Sequence, residues 1–533
     1  MESAAFDYVI VGGGSAGCVL ANRLSADPNV TVCLLEAGGE DRNPWIHIPA
    51  GYIKTMVDPS VNWLFETAPH PNTGDRPIPV PRGKVLGGSS AINAMIYVRG
   101  QASDYDTWAQ MGCTGWSFDD VLPYFKKSEN REQGGNDFRG TGGPLNTTEV
   151  TERYAILDRV VEAAGALGYP MHNDYNAGRQ LGFSYFQVTQ KNGRRFSAKK
   201  AYLQPVRGRR NLTVETGAFV QSVTFDARRA TGVRMIRQGQ EHAVRARREV
   251  ILSAGGVQSP QLLELSGVGQ GARLQALGIP VVHDLPGVGE NLQDHYCSRL
   301  SWRLKDTDSL NRKTRGLPLM GELAKFLFAG KGALTMPAGI IAGFARSRPD
   351  LEEADLQFHI AHATFADPKK RVFDRFPGIT FAPCPLRPES RGFIHAKTPN
   401  MADAPEIQPN FLEAAADRQV HLAGMRLARD IMAQAPVRPF VDTELQPGPD
   451  IDTDEAMMEH ARTTGATLYH PTCTCKMGTD PMAVVSPRLS VHGVEGLRVV
   501  DASIMPRLIS GNTNAPTMMI AEKAADMILA DNA

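Results

Sequence analysis

The sequence predicts an α/β fold, with a unit on a parallel sheet and a second, α+β unit. Three observations predict it. Residues 8–11 form an apolar run that leads into Gly12-x-Gly14-x-x-Gly17, a helically spaced stretch, a second apolar run at 30–35 and an acid, Glu36. A third short apolar run, 250–254, enters another glycine pair at 255–256. Between residues 344 and 396, short apolar and alternating runs read as strands, and 414–435 and 454–462 read as helices. At 533 residues the chain exceeds one ordinary core, so two domains or one elaborated domain are expected.

Residues 6–36 give strand, tight turn, helix, strand and acid, and the physics asks for each part. Gly12 permits the turn, Gly14 lets a pyrophosphate reach the backbone, and Gly17 lets helix and strand pack closely. Ser15 and Ala16 open the helix, whose free N–H groups and positive dipole end favour phosphate. Glu36 lies 19 residues past Gly17 and suits ribose hydroxyls, with Ala37 beside it. This is a Rossmann-like fingerprint. Alone it does not separate NAD from FAD.

Composition excludes some classes. Lys plus Arg equals Asp plus Glu at 57 each, so no electrostatic case exists for a nucleic-acid partner. No apolar run reaches the ~18 residues of a membrane span. No signal sequence precedes the first strand, and the seven cysteines are scattered. That predicts reduced thiols in a cytoplasmic protein, with at most a peripheral contact at the inner membrane face.

A proline-rich loop follows Glu36 and runs to Pro81. Gly87, Gly88, Ser89 and Ser90 then open an expected helix through Met95, read equally as an anion-binding turn or a plain capped helix. Residues 155–167 read as an amphipathic helix. Arg194, Arg195, Lys199 and Lys200 are expected on a solvated face. Residues 212–216, 220–225 and 233–236 read as strands, with a turn at 229–232. Residues 344–346, 356–360, 378–383 and 392–396 continue the strand pattern.

Two clusters invite a metal reading. His359 and His362, three apart on a strand, point to opposite faces and cannot chelate one ion. His470, Cys473 and Cys475 crowd three ligands into six residues with no fourth close by, a poor zinc site. No metal is expected. A histidine is better suited to proton transfer.

With the fingerprint on the page, residues 83–106 (GKVLGGSSAIN, then Tyr97, Gly100 and Asp106) resemble the glucose–methanol–choline (GMC) oxidoreductases. Residues 255–269, 286–295 and 496–506 are also similar to that family's motifs. The resemblance implies an FAD enzyme that oxidises alcohols, with an antiparallel sheet behind the active site. Its FAD-binding domain is expected at 1–155, 192–297 and 465–533, and its substrate-binding domain at 156–191 and 298–464.

The resemblance also implies roles for single residues. Arg82, Gly87, Gly88, Ser89, Asn93 and Ala94 would join the fingerprint residues around the cofactor. Val220, Ala254, Asp501, Ala502, Asn512, Asn514 and Ala515 would complete the set, Val220 meeting the adenine. His470 is the expected base. Asn514, 44 residues on, is the expected hydrogen-bond donor to the alkoxide. Leu468, Tyr469, Met336 and Ile340 are expected in the substrate pocket. Ile92 occupies the position where some members attach FAD through histidine, so non-covalent FAD is expected. Choline-type members carry a glutamate in the substrate domain. The comparable stretch, 332–344, has no acid. A neutral primary alcohol, aliphatic or aromatic, is therefore favoured over choline. Its electrons would pass to a quinone-like acceptor, or to dioxygen in an oxidase. A hydroxynitrile lyase with redox-idle FAD stays open.

Overall fold

The computed structural model describes residues 4–172, 174–367 and 372–532. Strand Ala4–Val11 lies inside a seven-stranded sheet, with Val32–Glu36 parallel on one side and Gln240–Leu252 parallel on the other. Leu212–Thr216 extends the parallel set beyond Val32–Glu36. On its other edge Gln240–Leu252 serves two partners. Its end, from Val250, pairs parallel with Leu497–Val499, and its start pairs antiparallel with Arg229–Arg237. Residues 8–11 and 32–36 are buried throughout, which is why they read as unbroken apolar runs rather than alternating ones.

Gly17 shows why the fingerprint has its spacing. A Cβ there would sit 1.9 Å from the Gly12 carbonyl oxygen. Helix Ser15–Leu24 therefore starts flush against the first strand. Helix Asn514–Asp531 packs beside it. Arg23 bridges to Glu522 at 2.7 Å, and Ser15 Oγ donates to Asn514 Oδ1 at 2.8 Å.

The second sheet has six strands, all antiparallel. Their order is Val441–Gln446, Leu300–Leu304, Gly378–Pro385, Leu356–Ala361, Ile341–Ala345 and Gly182–Tyr185. Its two faces follow the period of two. Leu356, Phe358 and Ile360 enter an apolar core with Phe381 and Ile379, and helix Ala415–Ala433 packs on that side. Gln357, His359 and Ala361 alternate onto the opposite face. Two large apolar cores result. One gathers residues near the parallel sheet, from Tyr8 to Ile528. The other gathers residues around the antiparallel sheet, from Ile78 to Ala461. We propose the domain limits read from the sequence for these two units, although Ile78, Met95, Ile96 and Val98 of the first pack in the second core and Met401 of the second packs in the first.

Four local expectations are corrected. Residues 87–95 hold only a 3-10 turn, Gly88–Ala91. Gly87 at φ +95°, Gly88 at φ +52° and Met95 at φ +62° bend the chain away from a helix. The hairpin turn lies just before Arg229, at Ala227 with φ +49°, and Arg229–Arg237 is all strand. Phe393–His395 pairs with Glu406–Gln408 and does not join the six-stranded sheet. Arg195 is buried, not solvated. It donates to the Ile46 and Ser90 carbonyls and to Asn93 Oδ1.

Candidate active site

A cavity of about 920 Å³ runs between the two sheets. That is at the upper end of the roughly 300–1,000 Å³ of small-molecule sites. One end is floored by the N-termini of three helices: Ser15–Leu24, Gly255–Leu265 and Asn514–Asp531. Convergent helix ends with free N–H groups favour an anion such as a pyrophosphate. Gly14 and Gly88 face each other there. A Cβ on Gly88 would come within 2.6 Å of the Gly14 Cα, so the two glycines leave their backbones bare to a ligand. Glu36 lines the same end and accepts from Gly13 N at 2.8 Å and Gly38 N at 2.7 Å. Burial pushes its carboxyl up to about 7. Asp501 ties the second helix end down, accepting from Gly255 N and from the Ser259 hydroxyl.

These residues fit a bound dinucleotide. Gly12, Gly14, Ser15, Ala16, Glu36, Ala37, Arg82, Gly88, Ser89, Asn93 and Ala94 line the cavity, as do Val220, Ala254, Asp501, Ala502, Asn512 and Asn514. Gly17, Gly87 and Ala515 stand behind the lining and shape it. Gly87 N, for example, donates to the Gly13 carbonyl at 2.7 Å. Ile92 lines the cavity with an alkyl chain, which offers a flavin no atom for a covalent bond.

His470 lies where the two units meet. It is 8% exposed and faces the cavity. Its loop is strained: Tyr469 and Cys473 take left-handed φ values of +69° and +74°, costly for side chains of this size. Asp294 holds the loop, accepting from His470 N at 2.8 Å and from the Thr467 hydroxyl. Arg82 donates to the Tyr469 carbonyl from the other side.

The hydrogen bonds decide which nitrogen of His470 carries the proton. His295 Nε2 lies 3.0 Å from the Leu386 carbonyl. A carbonyl only accepts, so His295 Nε2 donates and its Nδ1 is left as an acceptor. His470 Nδ1, 2.9 Å away, must then donate to it. His470 Nε2 is left as the acceptor, its lone pair facing the Asn512 amide. Asn512 Nδ2 meets that nitrogen at 3.2 Å, and Asn512 Oδ1 accepts from Gln357 Nε2 at 3.2 Å. Burial first, then its neighbours His295, His359 and Arg82, which resist a further positive charge, hold His470 well below the usual histidine value. Burial takes His295 down to about 4. Both rings are neutral at pH 7, and the lone pair at Nε2 is available as a base.

Here the structure departs from the spacing. Asn514 does not meet His470. Its Oδ1 accepts from Ser15 at the converging helix ends. The asparagine beside His470 is Asn512, 42 residues on rather than 44. Leu468, Tyr469 and Met336 line the cavity, but Ile340 is fully buried in the core of the antiparallel sheet and does not. His295, Gln357 and Arg299 do not stand out in the sequence. His295 closes the motif at 286–295, which is the one signal for it. His359 lines the cavity, while His362 packs against Tyr154 with ring centroids 3.9 Å apart. Cys473 and Cys475 are buried thiols, the former pushed up to about 12 by burial.

Comparison with known proteins follows the geometry. The GMC oxidoreductase family profile matches residues 6–297 and 388–521. Mitochondrial choline dehydrogenase of Homo sapiens is 43% identical, over 98% of this chain and 89% of that protein. Alcohol dehydrogenase [acceptor] of Pseudomonas putida is 42% identical, over 98% of this chain and 96% of that protein. Among solved structures, pyridoxine 4-oxidase from Mesorbium loti superposes with a TM-score of 0.89 at 30% identity, over 98% of both chains.

Proposed function

Because this chain belongs to the GMC oxidoreductase family, FAD enzymes acting on CH–OH donors, we propose that it oxidises a primary alcohol without a cationic group to the aldehyde and hands the electrons to a quinone-like acceptor. The observation that carries this is the unprotonated Nε2 of His470, fixed by its tautomer, which accepts from the Asn512 amide where both residues line the cavity. Non-covalent FAD supplies the hydride acceptor, its flavin N5. The chain supplies the rest. His470 Nε2 takes the hydroxyl proton. The Asn512 amide, turned by Gln357 so that its N–H groups face inward, donates to the developing alkoxide. Burial of the site keeps water away from both.

The names of the relatives include choline, but this cavity argues against a quaternary ammonium. Arg82, Arg299, Lys313 and Arg315 all line it. Among the described residues its three lining carboxylates are engaged: Glu36 and Asp501 by backbone N–H groups at the helix ends, Glu322 by Lys325 and Ala333 N. The acceptor reading draws support from helix Gly316–Ala329. Leu319 and Leu323 of this helix line the cavity. On its outside, Leu317 is 87% and Phe328 90% exposed, with Met320 and Leu327 nearby. Such a patch suits contact with a lipid surface that holds a quinone. Among the described residues no helix is long and apolar enough to cross a membrane.

The test is the visible spectrum of the purified protein without oxygen, before and after a panel of primary alcohols. Flavin bands that bleach establish the oxidoreductase reading. Bands that persist against every alcohol overturn it in favour of a redox-idle flavin. Peroxide released in air, at the rate of alcohol consumed, would replace the quinone-like acceptor by dioxygen.

A further inference from the structure

The antiparallel sheet turns one face to the cavity, and the register places its charges. His359 stands opposite Ala382, and Leu300 opposite Phe381. Arg299 precedes the paired residues of its strand by one position, and alternation from the core-facing Leu300 turns it to the face that carries His359 and Ala382. All three line the cavity, with Thr380 and Ala361 of the next row beside them. Adjacent strands lie about 4.8 Å apart. A guanidinium two strands from His359 therefore reaches into the space that the alcohol must occupy.

Arg299 has no carboxylate partner among the described residues. The carboxylates lining the cavity are committed elsewhere. Arg82, a half-buried cation near His470, gives its Nε to the Pro81 carbonyl and one terminal nitrogen to the Tyr469 carbonyl. The neighbours that favour the Arg299 charge are Cys297, Tyr469 and Tyr52, none of them a carboxylate. Arg299 is half-buried and its guanidinium also meets the Tyr469 side chain; a partly desolvated cation without a counter-ion gains from an anionic ligand. Its planar fork of donors matches a carboxylate. The cofactor's own anion does not answer this need. Its helix ends and bare glycines belong to the parallel-sheet unit, whereas Arg299 stands on the antiparallel sheet.

We propose that Arg299 is a substrate-recognition residue, and that the alcohol this protein prefers carries a carboxylate held by Arg299 while its hydroxymethyl group meets His470 and Asn512. This deepens the alcohol-oxidation reading and rests on it for the identity of the reacting end. It revises the expectation of a neutral substrate. The carboxylate is a handle only, and the bond chemistry is unchanged.

The experiment uses the FAD-loaded protein and two kinds of measurement. The first is anaerobic flavin reduction by matched pairs: 4-(hydroxymethyl)benzoate against 4-methylbenzyl alcohol, and 6-hydroxyhexanoate against 1-hexanol. The second is calorimetric binding of benzoate and hexanoate, which cannot be oxidised. Arg299→Met keeps bulk without charge, and Arg299→Lys restores charge without the fork. The expected result is that the carboxylated member of a pair exceeds its neutral partner at least tenfold in kcat/KM. Arg299→Met should erase that preference, cut the carboxylated substrate about 100-fold and leave the neutral alcohol within about threefold. Arg299→Lys should recover part of the loss. Benzoate or hexanoate should bind wild type at least tenfold more tightly than Arg299→Met. Neutral alcohols that reduce the flavin as well as their carboxylated partners, with carboxylate binding absent or indifferent to Arg299→Met, would overturn the proposal and leave alcohol oxidation standing. Arg299-dependent carboxylate binding with no alcohol able to bleach the flavin would keep the anion site and overturn the oxidation reading. Neither binding nor bleaching would overturn both.

Discussion

Replacing His295 tests the proton logic of the site most directly. His295 does not face the cavity, so a change in rate on its replacement must act through His470. In the native protein the Leu386 carbonyl fixes the His295 tautomer, and His295 fixes that of His470. When His470 takes the alcohol proton, its Nδ1–H bond to His295 becomes a charge-assisted hydrogen bond. Such bonds contribute about 1.5–3 kcal/mol. His295→Leu removes the acceptor and leaves a buried N–H unpaired. A loss of about 2 kcal/mol at the transition state is about 30-fold in rate. We expect flavin reduction at saturating alcohol to slow by about that factor in anaerobic stopped flow, with little change in KM. His295→Asn keeps an acceptor near the position of Nδ1 and should recover about tenfold of the loss. FAD content and melting temperature report whether each variant is folded. A folded His295→Leu protein with the wild-type rate would refute the relay. So would an Asn variant no faster than the Leu variant.

Three further outcomes follow from the geometry. His470→Ala should retain yellow flavin but lose about 100-fold or more in flavin reduction by alcohol, checked in the same stopped-flow assay. Asn512 and Asn514 should separate cleanly. Asn512→Ala should cut flavin reduction about 10–100-fold with FAD retained, whereas Asn514→Ala should weaken FAD retention on dialysis with the rate per bound flavin nearly unchanged. Glu36 should make FAD affinity depend on pH. Burial raises its carboxyl to about 7 in the cofactor-free protein, so below that pH it is protonated. Ribose hydroxyls donate, which favours the carboxylate. Binding below about pH 7 must then expel a proton. Apparent affinity should fall up to about tenfold per pH unit as pH drops from 7 towards the usual carboxylate value, and level off above 7. Fluorescence titration of the cofactor-free protein checks this. Glu36→Gln should bind more weakly and without the slope, and a flat wild-type profile would sink the argument.

Local chemistry made the first 36 residues legible. The runs at 8–11 and 30–35 are apolar because both faces of those strands are covered, and glycine spacing marks a turn that only glycine can make. The strands near 356–360 and 378–383 were equally visible. What stayed hidden depended on contacts distant in sequence. Arg195 read as a surface charge because its acceptors, the carbonyls of Ile46 and Ser90, lie more than a hundred residues away. Gly87-Gly88-Ser89-Ser90 read as a helix start, but Gly88 serves a close approach to Gly14. Asn512 and Asn514 differ by two positions at the head of one helix. Counting from His470 cannot tell which side chain turns to the histidine and which to Ser15, because that is set by how the last helix docks on the first. Arg299 is one of several arginines around residue 300, and only the strand register shows it inward.

The bond between Ser15 and Asn514 joins positions 499 apart in sequence. It also sets an order of events in biosynthesis. The phosphate end of the cavity needs helix Ser15–Leu24, made near the start of translation, and helix Asn514–Asp531, made some 500 codons later. The strand that ends at Leu252 likewise waits for Leu497–Val499 before its C-terminal half is paired on both sides. A nascent chain on the ribosome can fold much of its antiparallel unit and still have no complete seat for the dinucleotide. Cofactor loading therefore follows synthesis of the last helix. A truncated product lacking that helix would stay colourless, open at the parallel sheet and exposed to proteases.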